Sequence, residues 1–231
     1  MKQKISVVIA ALNEAPRIAA VLKVVSKSPL IDEVIVVNDG STDDTSKVAK
    51  GFNVVLIENE KNIGKTLSVK KGIEKAKNDL IMLLDADLLG LTQKSIEKLA
   101  KPVINGQVDW TLSWRDNAFK VMRFLQMEPD SGERVIPKKL LTDPLIWSYP
   151  DVCYGLEALM NKSLLGNNKT FRSVQLHGVI NIKKATKIGF FRGWSEDFRM
   201  LGQITKVLPL HKFVWQFLKM AYLNRKYRTA K

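Results

Sequence analysis

The sequence has one cysteine, Cys153, so no internal disulfide is open to it. That thiol reads as a buried side chain, and a reducing cytoplasm is the expected compartment. Histidine is almost as scarce, with two in 231 residues, which leaves few candidates for imidazole chemistry. No apolar run approaches the roughly 18 residues needed to span a bilayer. Met1 leads straight into a strand-like segment without the parts of a signal peptide. Glycine is missing from two places where nucleotide motifs need it. Ile9 to Asn13 contains none, which excludes a dinucleotide-binding fingerprint. In "NIGKT" the position five residues before Gly64 is Asn59, so a triphosphate-binding loop is excluded as well. Acids are outnumbered, 23 against 37 Lys and Arg, giving a net charge of +14. From Asn181 onward twelve Lys and Arg face two acids, Glu196 and Asp197, so this tail carries +10 of that charge.

What is present reads as a globular chain. Hydrophobic content of 45% and a charged fraction of 26% suit one large domain with a substantial core. "KISVVIAAL" is a β-branched apolar run with a polar stop at Asn13-Glu14, hence a buried strand. Ile18, Val21, Leu22 and Val25 then fall on one helical face, with Pro16 admissible in the first turn. "DEVIVVNDGS", "NVVLIEN", "DLIMLLDAD" and "QVDWTLSW" predict further strands, separated by helical segments. Ser41 with Asp44 resembles a capping box, and Thr92 is placed to cap a helix bearing Ile96, Leu99, Ala100 and Val103. Such alternation predicts an α/β fold with a mostly parallel sheet covered on both faces, where ligands collect at the strands' carboxyl ends. Asn13-Glu14, Asn38-Asp39-Gly40 and Asp85-Asp87 all lie at such ends and are expected to share one rim. Past Arg115, "MEPDSGERVIPKKLL" reads as a loop entering a short helix. "YGLEALMNKSLLGN" reads as a helix, "TFRSVQLHGV" as a strand and "HKFVWQFLKMAYLNRKYR" as a helix with a Val214, Phe217, Leu218, Ala221 stripe. With no linker in view, residues 1–115 and 116–190 are taken as halves of one domain and 191–231 as a basic helical tail.

Several clusters admit both a chemical and a structural reading. Asp85 and Asp87 stand one residue apart at a strand end, where their repulsion is costly without a cation. Together they suit Mg²⁺ or Mn²⁺ carrying a ligand phosphate, though a solvated strand end with a helix cap would also place acids there. Asp39 beside Gly40 suits a nucleobase and a closely approaching ligand, or simply a capped turn. Lys65 suits a phosphate. His177 is a ligand candidate or, as lone histidines more often are, structural.

The ordered set "VVIAALNEAPRI", "VIVVNDGSTDDT", "NIGKTLSVKKGIEKAKND" and "IMLLDADL" resembles the nucleotide-diphosphate-sugar glycosyltransferases of the GT-A fold, family 2 type. The resemblance implies that Ala11, Leu12, Glu14 and Asp39 bind the nucleoside and that Gly64 and Lys65 flank the diphosphate or base. It implies that Asp85, Ala86 and Asp87 form the D-x-D segment that holds a divalent cation on the sugar nucleotide, with His177 as a further metal ligand. The later segments look similar to acceptor-side regions of glucosyl-3-phosphoglycerate synthases and polyprenyl-phosphate glycosyltransferases. There Ser131, Gly132 and Glu133 would line an acceptor loop, and Glu157, then Asp151, are the candidates for the base. Glu196 and Asp197 fall too late to inherit that role, so the stereochemical outcome stays open. The implied activity is metal-dependent transfer of a hexosyl group from a UDP- or GDP-sugar to a hydroxyl or phosphate acceptor, lipid-linked in some relatives. A non-catalytic nucleotide-sugar or anionic-surface binder of the same fold is the alternative.

The basic tail interleaves Trp194, Phe213, Trp215, Phe217 and Tyr222 with Lys and Arg, and Lys212, Lys219 and Lys226 recur every seven residues. It suits an anionic membrane surface, an anionic acceptor, or packing on the domain or on a second subunit as a homodimer. Nucleic acid is disfavoured, because the basic residues gather in one amphipathic segment instead of tracking along a face.

Overall fold

A computed structural model describes residues 4–150, 155–181 and 207–228. Asp151, Cys153, Trp194, Glu196 and Asp197 lie outside the described residues. The apolar run at the start becomes β1 (Ile5–Ala11), buried along nearly its whole length. It can be apolar on both faces because it is central: it pairs in parallel with β2 (Ile31–Asn38) on one side and β4 (Leu80–Leu83) on the other. β3 (Val55–Glu58) extends the sheet beyond β2.

Alternation along β1 divides the interior into two cores. Ile5, Val7 and Ile9 face one way and meet Ile18, Val21, Leu22 and Val25 of α1 (Ile18–Val25). Ala49 of α2 (Thr45–Lys50) and Ile96, Leu99 and Ala100 of α4 (Gln93–Ile104) join them. Val8 faces the other way with Ile35 and Val37, against Val69 and Ile73 of α3 (Lys65–Lys75) and Leu156 and Met160 of α6 (Leu156–Gly166). Side chains such as Ile18 and Ile35, with no exposed surface, each contribute roughly 1.5–3 kcal/mol by burial. Thr92 caps α4 as expected: its side chain accepts a hydrogen bond from the Ser95 amide.

Two expectations are corrected. Ser41 and Asp44 form no capping box, because the Ser41 hydroxyl accepts from the Asn13 amide and Asp43 accepts from the Thr45 amide. The supposed loop after Met127 contains β7 (Arg134–Pro137), which pairs antiparallel with β4 on one side and with β6 (Trp110–Arg115) on the other. β8 (Phe171–Leu176) then adds parallel to β6, giving the seven-stranded order β3-β2-β1-β4-β7-β6-β8. Strands from before and after Arg115 thus belong to one sheet. A two-residue strand β5 (Leu88–Leu89) follows the Asp85-Asp87 segment and pairs with β9 (Ile180–Asn181). Between β6 and β7 lies α5 (Lys120–Leu125), with no buried residue.

The last helix, α7 (Leu210–Arg228), docks through half of the expected stripe, with Phe217 and Ala221 packed on the second core, and through a polar row beside it. Gln216, Met220 and Asn224 are its buried positions, and Val214 and Leu218 are exposed. Its polar buried groups find partners: Gln216 donates to the Ala158 carbonyl, and Asn224 accepts from the Ser173 amide and donates to the Gln126 carbonyl. Among the described residues no helix is long and apolar enough to cross a membrane.

Candidate functional site

The carboxyl ends of β1, β2 and β4 form one rim, as the polar strand ends require. The loop after β1 is stitched to the loop after β2. Asn13, at φ 55°, donates its amide to Ser41 and accepts from the Thr42 amide, and the Glu14 amide donates to Thr45. The Glu14 carboxylate pairs with Arg17. Ala11 is buried and accepts from the Asp39 amide, whereas Leu12 is exposed on the rim. Asp39 is turned inward. Its carboxylate accepts from the Asn59 side chain and from the amides of Ile63 and Gly64, so it anchors the loop that leads into α3. Gly40, at φ 73°, lets that loop pass, because a Cβ there would lie 2.5 Å from the Lys61 carbonyl carbon.

α3 opens with Lys65, and this side chain joins the two halves of the chain. Its ammonium lies 2.9 Å from Asp85 at the end of β4 and 2.8 Å from Glu157 in the first turn of α6. Burial works against the charge, yet the two carboxylates together hold the Lys65 pKa above the usual lysine value. Gly132 presses on Asp85 from the other side: a Cβ at that position would stand 2.5 Å from one carboxylate oxygen. Behind them Arg134, fully buried, donates to the carbonyls of Ser131 and Pro129 and to Asn161. The space enclosed by Lys65, Asp85, Gly132, Arg134 and Glu157 is about 10 Å³, room for about one water. Lys65 therefore fills the cleft in this state.

Ser131 and Glu133 do not line an acceptor loop. Both are fully buried, because Glu133 accepts from the hydroxyls of Ser113 and Ser131 and pairs with Arg115 at 3.3 Å. Arg115 also holds Glu128 at 2.7 Å. Burial disfavours the Arg115 charge, but Glu133 and Glu128 more than offset this and raise its pKa. Gly132 alone of that trio touches the cleft. Arg115, Glu128, Arg134 and Asn161 were missed in the sequence. The signal available was Arg115, a charge directly after the apolar strand "QVDWTLSW"; Glu128 and Arg134 stand in a segment whose pattern reads as a loop, and Asn161 is one polar residue in a helix.

His177 does not join Asp85 and Asp87. Its ring is mostly exposed, with Nδ1 4.0 Å from Asp116, and the turn carrying it is held by the Gly178 amide donating to that same carboxylate. Among the described residues no three His, Cys, Asp or Glu side chains come together as a metal-holding group. The cleft nevertheless fits a cation: Asp85 already binds a positive charge, the Lys65 ammonium, and Asp87 follows on the same loop. Two hard carboxylate oxygens leave the remaining positions to a ligand's phosphates and water, the usual arrangement for Mg²⁺. Ala86 between them is buried and fixes the segment against the first core.

The fold closely follows solved glycosyltransferases. The chain overlays the crystal structure of Mycobacterium tuberculosis glucosyl-3-phosphoglycerate synthase in complex with Mn²⁺, UDP and glucosyl-3-phosphoglycerate with a TM-score of 0.68 at 20% identity, covering 89% of this chain and 80% of that one. The same enzyme with Mg²⁺ and UDP gives 0.67 at 19% identity, covering 89% and 79%. By sequence, 4,4'-diaponeurosporenoate glycosyltransferase from Staphylococcus aureus strain USA300 is 31% identical over 100 residues, 41% of this chain and 27% of the relative. The protein of that name from strain bovine RF122 / ET3-1 is 30% identical over 102 residues, 42% of this chain and 27% of the relative. The chain thus spans about a quarter of the length of the curated relatives it matches. The model of "Glycosyl transferase family 2" matches residues 6–166, which hold the rim, the Lys65 cleft and α6. With a mostly parallel α/β sheet of the GT-A type and that match over most of its length, this chain belongs to glycosyl transferase family 2.

Proposed function

We propose that this protein transfers a sugar from a nucleoside-diphosphate donor to a hydroxyl-bearing acceptor, with the cleft around Lys65 as its reacting centre. One observation carries the reading: at the rim where parallel strands end, one ammonium bridges the first aspartate of a D-x-D pair and a glutamate 72 positions further on, Asp85 and Glu157. In the donor complex Lys65 leaves these carboxylates and lies against the diphosphate, where it stabilises the charge that gathers on the leaving group. Donors aimed at developing charge contribute about 3–4 kcal/mol each. Asp85 and Asp87 would hold a Mg²⁺ or Mn²⁺ ion, which supplies Lewis-acid stabilisation of the same diphosphate when bound. Glu157, released from Lys65, accepts the proton of the acceptor hydroxyl if the reaction inverts configuration, a contribution of about 10²–10⁴ in rate. In a retaining reaction it orients that hydroxyl instead. The stitched loops of Leu12–Ala15 and Gly40–Asp43 frame the nucleoside, with Asp39 acting through the loop it anchors. Support for the donor and cation comes from the solved relatives, whose complexes contain Mn²⁺ or Mg²⁺ with UDP or UDP-glucose.

The test is thermal unfolding with Mn²⁺ and a panel of nucleoside diphosphates, for the native chain and for Asp85→Ala/Asp87→Ala. A ligand at ~100 times its Kd adds about 2.7 kcal/mol of stability. A metal-dependent rise with UDP or GDP, absent from the double variant, is expected and identifies the nucleotide. A folded protein that responds to no nucleotide would refute the assignment.

A further inference from the structure

We infer that the solvent face of α7 is an interfacial anchor that seats the protein on an anionic bilayer. The helix carries five Lys and Arg and no acid along its 19 residues. With Met220 pointing inward, Val214, Trp215, Leu218 and Tyr222 point outward and are 48, 60, 61 and 68% exposed. At about 100° per residue these four span an arc of about 100° opposite Met220, which the exposed His211 and Arg225 share. Lys212, Lys219 and Lys226 fall within about 40° of one another along one border of that arc, by the same geometry. Lys219 lies over the Trp215 ring, 4.9 Å from its centroid, so the apolar and basic strips are in contact.

Beside the basic strip a groove of about 360 Å³ runs between α7 and the end of α6. Leu165, Leu208 and Trp215 give it apolar walls, and Lys162, Lys212 and Lys219 bring three ammonium groups to it. That combination accepts an anionic headgroup with the start of its acyl chain. Large side chains left in water on one arc call for an apolar partner, and the border of lysines calls for a negatively charged one. A bilayer of anionic lipid is both at once. A second copy apposed through this face would set Lys212, Lys219, Arg225 and Lys226 against their own counterparts, four positive charges against four. Nucleic acid would engage the lysines and leave Trp215 and Leu218 wet. The charges also keep the helix in the plane of the surface, as an amphipathic helix lies, and not across it.

Sedimentation of the full chain with phosphatidylcholine vesicles, with and without phosphatidylglycerol, tests the inference at low and high salt. Binding to the phosphatidylglycerol vesicles alone, weakened by salt, is expected. Lys212→Gln/Lys219→Gln/Lys226→Gln is expected to lower the partition coefficient about a hundredfold, at about fivefold per charge. Trp215→Ser/Leu218→Ser keeps every charge and is expected to lower it at least tenfold, with unchanged thermal unfolding because both side chains are exposed. No sedimentation, equal sedimentation with neutral vesicles, or a Trp215→Ser/Leu218→Ser variant that binds as the native chain does would each overturn the inference. So would a dimer in solution that this double substitution dissociates, because the face would then belong to a second copy.

Discussion

Replacing Lys65 by methionine keeps most of the apolar stem of the side chain and removes the charge between Asp85 and Glu157. Both carboxylates touch the same nitrogen, at 2.9 and 2.8 Å, so their nearest oxygens lie within about 6 Å of each other. Left unshielded at that separation they repel by ~3 kcal/mol at an effective dielectric of ~20. The side chains of Lys65, Asp85 and Glu157 are 36, 25 and 16% exposed, so water screens part of that repulsion. The expected loss is about 2 kcal/mol, between the ~0–1 of surface pairs and the ~3–5 of a broken buried pair. In a chain of this size that lowers Tm by roughly 4–8 °C. Folding raises the Lys65 pKa, so its contribution is fully present below the ordinary lysine value of 10.5 and is lost as pH rises through the higher folded value. The difference between native and variant protein is therefore flat across neutral pH. Urea unfolding followed by tryptophan fluorescence measures it. Added Mn²⁺ is expected to restore more stability to the variant than it adds to the native protein, because the ion no longer competes with an ammonium for Asp85. A variant as stable as the native chain, or equal gains from Mn²⁺ in both, would show that Lys65 does not hold the cation position.

Three other substitutions probe the same architecture. Gly132→Ala puts a Cβ 2.5 Å from an Asp85 oxygen, and the displaced carboxylate is expected to weaken Mn²⁺-dependent nucleotide binding about tenfold or more, read by calorimetric titration. Arg115→Met leaves Glu128 and Glu133 buried without their shared cation; a loss of about 3–5 kcal/mol in urea unfolding is expected, partly recovered when Glu133→Gln is added. The Ser163 hydroxyl and the Leu145 amide hold the Asp143 carboxyl below its ordinary 3.8, so its contribution is present above that value and lost as pH falls through the lower folded one. Asp143→Ala is accordingly expected to cost about 1 kcal/mol at neutral pH, and the gap to the native chain closes in strong acid.

β1, β2 and β4 were legible in the sequence because a central parallel strand is apolar on both faces and its polar stop marks the rim. α1 and α4 were legible because their buried residues keep the helical period and Thr92 is a good cap. β7 was not: its four residues begin with an arginine and end with a proline, and it is a strand only because β4 and β6 leave a gap of one strand's width. α7 is legible as a helix, but only Phe217 and Ala221 of its apolar stripe face the core, and the inward face is centred on Met220 between Gln216 and Asn224. Gln216 and Asn224 are polar by composition yet buried by virtue of the backbone groups they satisfy, which periodicity in hydrophobicity does not register. In the site, the spacing of Asp85 and Asp87 admits both a cation-holding pair and a solvated strand end, and it is the resemblance to family 2 that favours the pair. The Lys65–Glu157 contact joins positions 92 apart and depends on how α3 and α6 meet on one face of the sheet. Asp39 was readable as important, but its inward orientation was set by three donors on the following loop, two of them backbone amides.

The antiparallel insertion of β7 also governs when the site can exist during synthesis. β6 pairs with β7 and β8, both of which emerge later, and β4 has β7 as its second neighbour. A nascent chain ending near Arg115 would hold β6 without a partner strand and β4 with one edge bare, a geometry prone to mispairing with other chains. Gly132 and Arg134, which back Asp85, arrive with the same late strand. The D-x-D loop thus acquires its working shape when the sheet is closed from the middle, so truncation anywhere before Pro137 is expected to yield an aggregating fragment and not a smaller working unit.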